Sequence, residues 1–407
     1  MSPKSPLSNP AFRAVWLASI FSFIGTWVQD VGESWVMLSM SRDPRLVAAL
    51  ATCFLAPMLA LTVPAGVLAD RHDRRTLLLW SQGASAVAAA GPALAIRLHA
   101  MTPTVLLGCT AMLGAAAALG APAWQTLVPE LVARELTAEA ITLGSIAFNI
   151  ARVLGPALGG VLLAATGPEA TFLVNALSFL AVAWVLWQYD AVKAVSNREA
   201  APARSLSLTE PAREAWQSPI LRSAFLTAAG FAGSASVLMA ILPAYAKHAL
   251  GTSASGYGSL LSALGAGAIT SGLFLSRVRG RFGNRRTVAT GVLAFGAATL
   301  LAARASTVLG AAPCFFVAGL GWVACLTTLS ASVQLNAKTH IKSRVTAFYQ
   351  LNFYGWASVG AALGGVIAKH VGERGAIAAG AIGCLLTALC VAAVPLYRVN
   401  PIGPSTK

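Results

Sequence analysis

Apolar side chains run along this chain in stretches of 18 or more residues from its first tens of residues to its last. Each stretch is long enough to cross a hydrocarbon core of roughly 30 Å as an α-helix. The pattern predicts spans at about 14–40, 46–69, 77–96, 103–125, 140–164 and 168–188, then at about 220–246, 255–276, 287–303, 307–333, 345–368 and 375–397. The expected fold is therefore all-α and membrane-embedded, with twelve transmembrane helices in two sets of six. Residues 1–188 would form the first bundle and 219–407 the second. Between them, about 189–218 carries Asp190, Lys193, Arg198, Glu199, Arg204, Glu210, Arg213 and Glu214 with little apolar periodicity, and reads as a cytosolic linker. The first run exceeds the apolar core of a cleaved signal peptide and eleven more follow it, so it is expected to stay as a span.

Composition agrees with this pattern. Hydrophobic residues make up 57% of the 407 and charged ones 11%, too apolar a balance to build a water-exposed surface. The Gly, Ala and Ser that recur inside the spans would weaken a soluble helix but let membrane helices approach closely. A net charge of +15 could suggest a nucleic-acid partner, so the placement of the basic residues decides. With the N-terminus inside, 21 of the 29 Lys and Arg fall on cytosolic segments and seven on outer ones, leaving Arg152 within a span. The positive-inside rule accounts for the charge, puts both termini in the cytoplasm and needs no nucleic acid.

Other chemistries find little support. The six cysteines sit singly in apolar runs without a CxxC pair, and the five histidines fall at or near span ends, so no metal site is expected. No GxxxxGK[ST] loop offers a nucleotide site, no cofactor is expected, and no clustered nucleophile and base suggests an enzyme.

The two halves echo each other. GPALGG at Gly155–Gly160 returns as GAALGG at Gly360–Gly365, an offset of 205, and Gly167 returns at Gly372 with the same offset. The loop after the second span reads GVLADRHDRR from Gly66 to Arg75; its counterpart, GLFLSRVRGRFGNRR from Gly272 to Arg286, is longer, similarly basic and lacks the acidic residue.

Twelve spans in two halves, with Gly66, Leu68, Asp70, Arg71, Arg74 and Arg75 between spans 2 and 3, resemble the major facilitator superfamily and its signature loop. Asp73 departs from the pattern, which has a second glycine there. FSFIGTWVQDVGESWVML (Phe21–Leu38), NIARVLGPALGG (Asn149–Gly160) and FLVNALSFL (Phe172–Leu180) are most similar to the bacterial branch of enterobactin exporters and transmembrane secretion effectors. The resemblance is specific over the first half and holds for the second in layout. It implies the major facilitator fold of two pseudo-symmetric six-helix bundles in a bacterial inner membrane, and a gating role for Gly66, Asp70, Arg71, Arg74 and Arg75. It also suits spans 3, 6, 9 and 12, which lack mid-span charge, to lipid-facing positions. The residues alone also allow these arginines to fix topology and Asp73 to cap span 3.

Within the spans three constellations carry chemistry. In span 1, steps of three and four bring Asp30 and Glu33 onto one face with Ser19, Ser22 and Thr26, a face expected to line a cavity. Both lie in the outer third of the helix, as proton-coupling acids or as an outer gate pair. Arg152, near mid-membrane and one turn after Asn149, would pair with Asp30 or Glu33, receive an anionic substrate group, or serve a structural inter-helix pair. Gly155, Pro156, Gly159 and Gly160 resemble the fifth-span antiporter signature of drug exporters: Pro156 removes the bond to the Arg152 carbonyl, while the glycines allow close packing. Span 4 lacks the arginine that many such exporters carry there. The leading reading is a monomeric secondary transporter that exports a small amphipathic, drug- or siderophore-like molecule by alternating access, with protons as the candidate coupling ion and the lipid bilayer as its other partner. An importer, a lipid-type facilitator, or a membrane sensor or assembly protein that moves nothing are the alternatives.

Overall fold

Five of the long helices begin on a proline preceded by a residue that can turn the chain inward. Pro10, Pro44, Pro103, Pro168 and Pro219 each occupy a first helical position, where the missing N–H costs nothing and the fixed φ suits the helix. Polar side chains close four of these ends. Asn9 Oδ1 accepts from the Ala11 and Phe12 amides at 2.9 and 3.2 Å, Asp43 from Arg45 at 3.0 Å, Thr102 from Val105 at 3.3 Å and Ser218 from Leu221 at 3.4 Å.

The computed structural model describes residues 5–189, 192, 209–338 and 341–393. The helices are α1 (Pro10–Met40), α2 (Pro44–Arg71), α3 (Arg74–Arg97), α4 (Pro103–Glu130), α5 (Thr137–Thr166), α6 (Pro168–Gln188), a short α7 (Thr209–Gln217), α8 (Pro219–Ala244), α9 (Ala254–Ala302), α10 (Val308–Asn336) and α11 (Lys342–Ala393). A π-helical turn, Tyr245–Ala249, extends α8. Among the described residues, ten helices are long and apolar enough to cross a membrane. Two of them, α9 with 49 residues and α11 with 52, would reach more than about 70 Å if straight, over twice the bilayer core. Each breaks at one glycine in the left-handed region, Gly283 (φ 77°) and Gly372 (φ 76°), so that α9 and α11 are each two spans and the total is twelve. Gly167, which separates α5 from α6, has φ 85° and ψ 177°, close to the φ 76° and ψ 171° of Gly372 at the position 205 residues later.

The predicted boundaries differ from the observed ones for physical reasons. Loops expected at about 277–286 and 369–374 are absent as loops, because a glycine free of Cβ clashes turns a helix back without spacer residues. Within the segment read as linker, Thr209–Gln217 is helical; a helix this short is unstable alone. It is held by Glu214, 2.6 Å from Lys338 Nζ, and Glu210, 2.7 Å from Arg344. The remainder of the linker, apart from Tyr189 and Val192, lies outside the described residues, as does the chain after Ala393.

In the first bundle α1 packs on α5 and α6, α3 on α4 and α6, and α2 on α4. In the second, α8 packs on α11 and α9 on α10. The same device ties the ends of both bundles. Arg75, at the start of α3, donates to the carbonyls of Leu186 (2.8 Å) and Trp187 (2.6 Å) at the end of α6. Arg285, just past the Gly283 corner, donates to the carbonyls of Val391 and Ala392 at the end of α11. Those acceptor pairs lie 205 residues apart, so a guanidinium caps the last, unpaired carbonyls of the sixth span in each half.

The halves meet along two seams, α5 against α9 and α2 against α11. At the first, a Cβ on Gly160 would lie 2.8 Å from the Ala254 carbonyl oxygen, and one on Gly265 3.0 Å from the Arg152 carbonyl oxygen. At the second, a Cβ on Gly365 would lie 3.0 Å from Arg45 Cα. Backbones this close leave no room for a larger residue.

Gly372→Ala forces an L-residue into a left-handed corner and should destabilise the protein by about 1 kcal/mol or more. Gly83→Ala, in helical α3 with open space around the new methyl group, should be neutral or slightly stabilising. Thermal unfolding of the two purified variants in one detergent checks the ordering.

Candidate functional site

The two acids of α1 have different surroundings. Glu33 is 5% exposed and turned into the first bundle, where its Oε1 accepts from Gln29 Nε2 at 2.6 Å and its Oε2 from Thr110 Oγ1 of α4 at 3.2 Å. Gln29 passes the chain on: its Oε1 accepts from Asn175 Nδ2 of α6 at 2.7 Å, and Ser178 Oγ donates to the Asn175 carbonyl at 2.7 Å and lies 3.1 Å from Asn175 Oδ1. A carboxylate in hydrocarbon needs such donors, because no water replaces them. Asp30 instead keeps an exposed side chain although protein surrounds it in depth, and its electrostatic neighbours are Glu33 and Tyr257 of α9. Asp30 thus faces open surface near the other half and Glu33 does not, so the two do not share the one face that their spacing suggests: three residues along a helix separate the two side chains by about 60°, enough to put one inside the bundle.

Arg152 lies near the middle of the 30-residue α5, and so near mid-membrane. Among the described residues it forms no ion pair or hydrogen bond, and its Nε is buried without a partner. The expected pairing with Asp30 or Glu33 is therefore absent. Gly155 packs on Trp27 of α1 and Gly159 on Val28, so Arg152, about two turns earlier, sits roughly 10 Å nearer the start of α1 than Asp30 does. Its guanidinium instead lies over the Trp322 ring of α10, in the other half, 5.5 Å from the ring centre. Trp322 is braced by Phe231 at 5.5 Å and Phe295 at 5.7 Å between ring centres. A cation–π contact contributes about 0.5–2 kcal/mol, less than the roughly 2.5–3.5 kcal/mol needed to place an arginine at mid-span. The contact alone does not offset that cost.

Pro156 leaves α5 continuous, and the carbonyl it frees at Arg152 faces Gly265 of α9. Gly155 and Gly159 pack on α1, while Gly160 packs on α9, so this run joins two helices from different halves. The seam has one sealed end. Beyond Gly160, Lys247 of the π turn donates to the Leu38 carbonyl of α1 at 3.0 Å with its ammonium 5.3 Å from the Trp35 ring centre. At the opposite end of α5, Glu139, Ile141, Thr142, Gly144, Ser145, Ile146 and Phe148 are exposed around most of the helix circumference, with Ala140 and Ala147 buried. A helix that faced lipid alone would expose one side, so the α5 start also borders an opening.

Of the signature loop, Gly66 sits in α2 with open space where a Cβ would point, Arg74 is ion-paired with Glu130 of α4 at 3.0 Å and Arg75 caps α6. The departing residue, Asp73, accepts from the Thr76 amide at 2.7 Å and so caps α3. The side chains of Asp70, Arg71 and Asn149 lie outside the described residues. Sequence reading did not nominate Asn175, Thr110, Tyr257, Trp322 or Lys247. An asparagine inside a 21-residue apolar span was the one visible signal, since an unpaired amide there is costly.

Residues 1–404 match the family of transmembrane secretion effectors. The chain belongs to this family. That family is one of membrane transporters of the major facilitator type, not of enzymes. The chain is similar to the staphyloferrin A transporter of Staphylococcus aureus, 30% identical over 163 residues that cover 40% of this chain and 41% of that protein. It is also similar to the enterobactin exporter EntS of Citrobacter koseri, 30% identical over 164 residues covering 39% and 38%. The matched segments thus span about two fifths of these relatives' length. Among solved structures, a bacterial homologue of the iron transporter ferroportin in an inward-facing state superposes with a TM-score of 0.75 at 15% identity, covering 94% of this chain and 98% of that one. A POT family transporter in complex with 5-aminolevulinic acid gives 0.78 at 11% identity, covering 94% and 95%. These likenesses place the chain in the major facilitator fold.

In this transporter Asn175→Ala strands the Gln29 carbonyl oxygen inside the bundle and should cost about 1–3 kcal/mol. Arg74→Gln, which removes a partly exposed ion pair, should cost less than about 1 kcal/mol. Thermal unfolding should therefore separate the two, with Asn175→Ala the lower-melting variant.

Proposed function

We propose that this protein is a secondary active exporter of a small amphipathic, siderophore-like molecule, working as a monomer in the bacterial inner membrane by rocking residues 1–188 against 219–407. With both termini in the cytoplasm, the sealed end lies outside and the conformation is open to the cytosol. The observation that supports this reading best is the one-ended seam: glycine-to-backbone contacts and the Lys247 clasp close one end of a route that still exposes Asp30 in the interior. Both are contacts that rocking can break without unfolding a helix, because they join side chain or surface to backbone across halves. The names of the two relatives, a staphyloferrin A transporter and an enterobactin exporter, supply the cargo class. Export direction and proton coupling rest on the family and on Asp30, a carboxylate on the route that forms no ion pair among the described residues.

In this scheme Asp30 loads a proton from the outside and releases it inward while cargo leaves. Gly66, Asp70, Arg71, Arg74 and Arg75 hold the cytosolic end in its alternating states, and Gly155, Pro156, Gly159 and Gly160 form the pivot where α5 slides on α1 and α9. Metabolite profiles of medium from cells with and without the gene should differ in at least one small organic molecule. Asp30→Asn and collapse of the proton gradient should each lower its export at least fivefold. An unchanged profile removes the export reading, and export indifferent to the gradient removes proton coupling.

The clasp gives a separate expectation. Lys247→Ala should raise, several-fold, the labelling from outside of a cysteine placed at Ser34, in a background where the native cysteines have been replaced. Unaltered labelling would show that the clasp does not gate the outer end.

A further inference from the structure

We propose that Arg152 and Trp322 together form a recognition site for an aromatic carboxylate. This rests on the transporter reading above and names the chemistry of its cargo. Arg152 offers five N–H donors in a planar fork, and none is bonded to a described residue. That fork matches the two oxygens of a carboxylate better than any single neutral acceptor. The protein supplies no counter-ion among the described residues. Glu33 is turned into the first bundle by Gln29 and Thr110, and Asp30 lies about two turns farther along the route.

Trp322 adds the second half of the specificity. It comes from the other bundle, so the site is complete only where the halves approach, and Phe231 and Phe295 hold its ring edge-on and tilted in a fixed plane. The ring face lies 5.5 Å from the guanidinium carbon. A planar anion can take over the guanidinium through its oxygens while its ring stacks on the indole. The exchange replaces a weak inter-half contact with a charge-assisted one that spans both halves. It also sets a selectivity: a cationic cargo would meet an uncompensated positive charge at mid-membrane, where the local dielectric is low.

The test uses the full chain in nanodiscs of phosphatidylcholine, with equilibrium binding of benzoate measured against neutral benzamide at pH 7. Benzoate should bind at least tenfold more tightly than benzamide. Arg152→Gln should remove that preference, lowering anion binding far more than benzamide binding, Arg152→Lys should retain part of it, and Trp322→Leu should weaken anion and amide alike. Size-exclusion profiles matching the unaltered protein ensure that the variants are folded. Equal affinity for anion and amide, no detectable anion binding, or an Arg152→Gln variant within twofold of the unaltered protein would overturn the proposal. Exported cargo that is neutral or cationic would overturn it too while leaving the export reading intact, whereas an unchanged export profile would defeat the export reading itself.

Discussion

A polar group inside hydrocarbon has no water to fall back on, so each one must find its partner within the protein or open onto a wetted space. Nearly every feature of this chain follows from how that demand is met. Helix starts are closed by Asn9, Asp43, Thr102 and Ser218 beside first-position prolines, and the last carbonyls of the sixth span in each half are closed by Arg75 and Arg285. The polar interior of the first bundle is a chain of bonds from Thr110 through Glu33, Gln29 and Asn175 to Ser178, with each member answering the next. At Asp30 and Arg152 no described residue supplies a counter-ion, and both lie where the two halves approach each other.

This difference separates scaffold from site more cleanly than charge alone. Glu33 and Asp30 stand three residues apart on one helix and are equally ionisable in principle. One is bonded on two sides by neutral donors and holds three helices of a bundle together. The other faces the space between bundles. Arg152 resembles Asp30 in this respect, and its contact with Trp322 joins the halves through a ring face, an interaction far easier to exchange than an ion pair.

Much of this was legible in the sequence because it depends on local text. Span length is set by bilayer thickness, so the twelve crossings could be read from apolar runs, and the 205-residue repeat showed in GPALGG and GAALGG before it showed in the matching backbone of Gly167 and Gly372. What escaped depends on partners distant in the chain. Nothing beside Trp322 indicates that it meets an arginine 170 positions earlier, and nothing beside Glu214 indicates Lys338 as the partner that stabilises a nine-residue helix. The face assignment of Asp30 and Glu33 failed for a related reason. A helical wheel gives angles between side chains but not which neighbour occupies which angle, and α4 and α6 occupy the one that Glu33 points to.

The corners at Gly283 and Gly372 carry a mechanical consequence. Each joins two membrane-crossing legs through one residue, with no slack to absorb relative motion. Such a V-shaped piece transmits a tilt of one leg directly to the other, as a stiff lever does. In the rocking proposed above, the leg that meets the opposite half at Gly265 or Gly365 would carry its companion with it, and the second bundle would move as a linkage of rigid angles rather than as six independent rods. Length added at either corner would uncouple the legs while leaving each helix well formed.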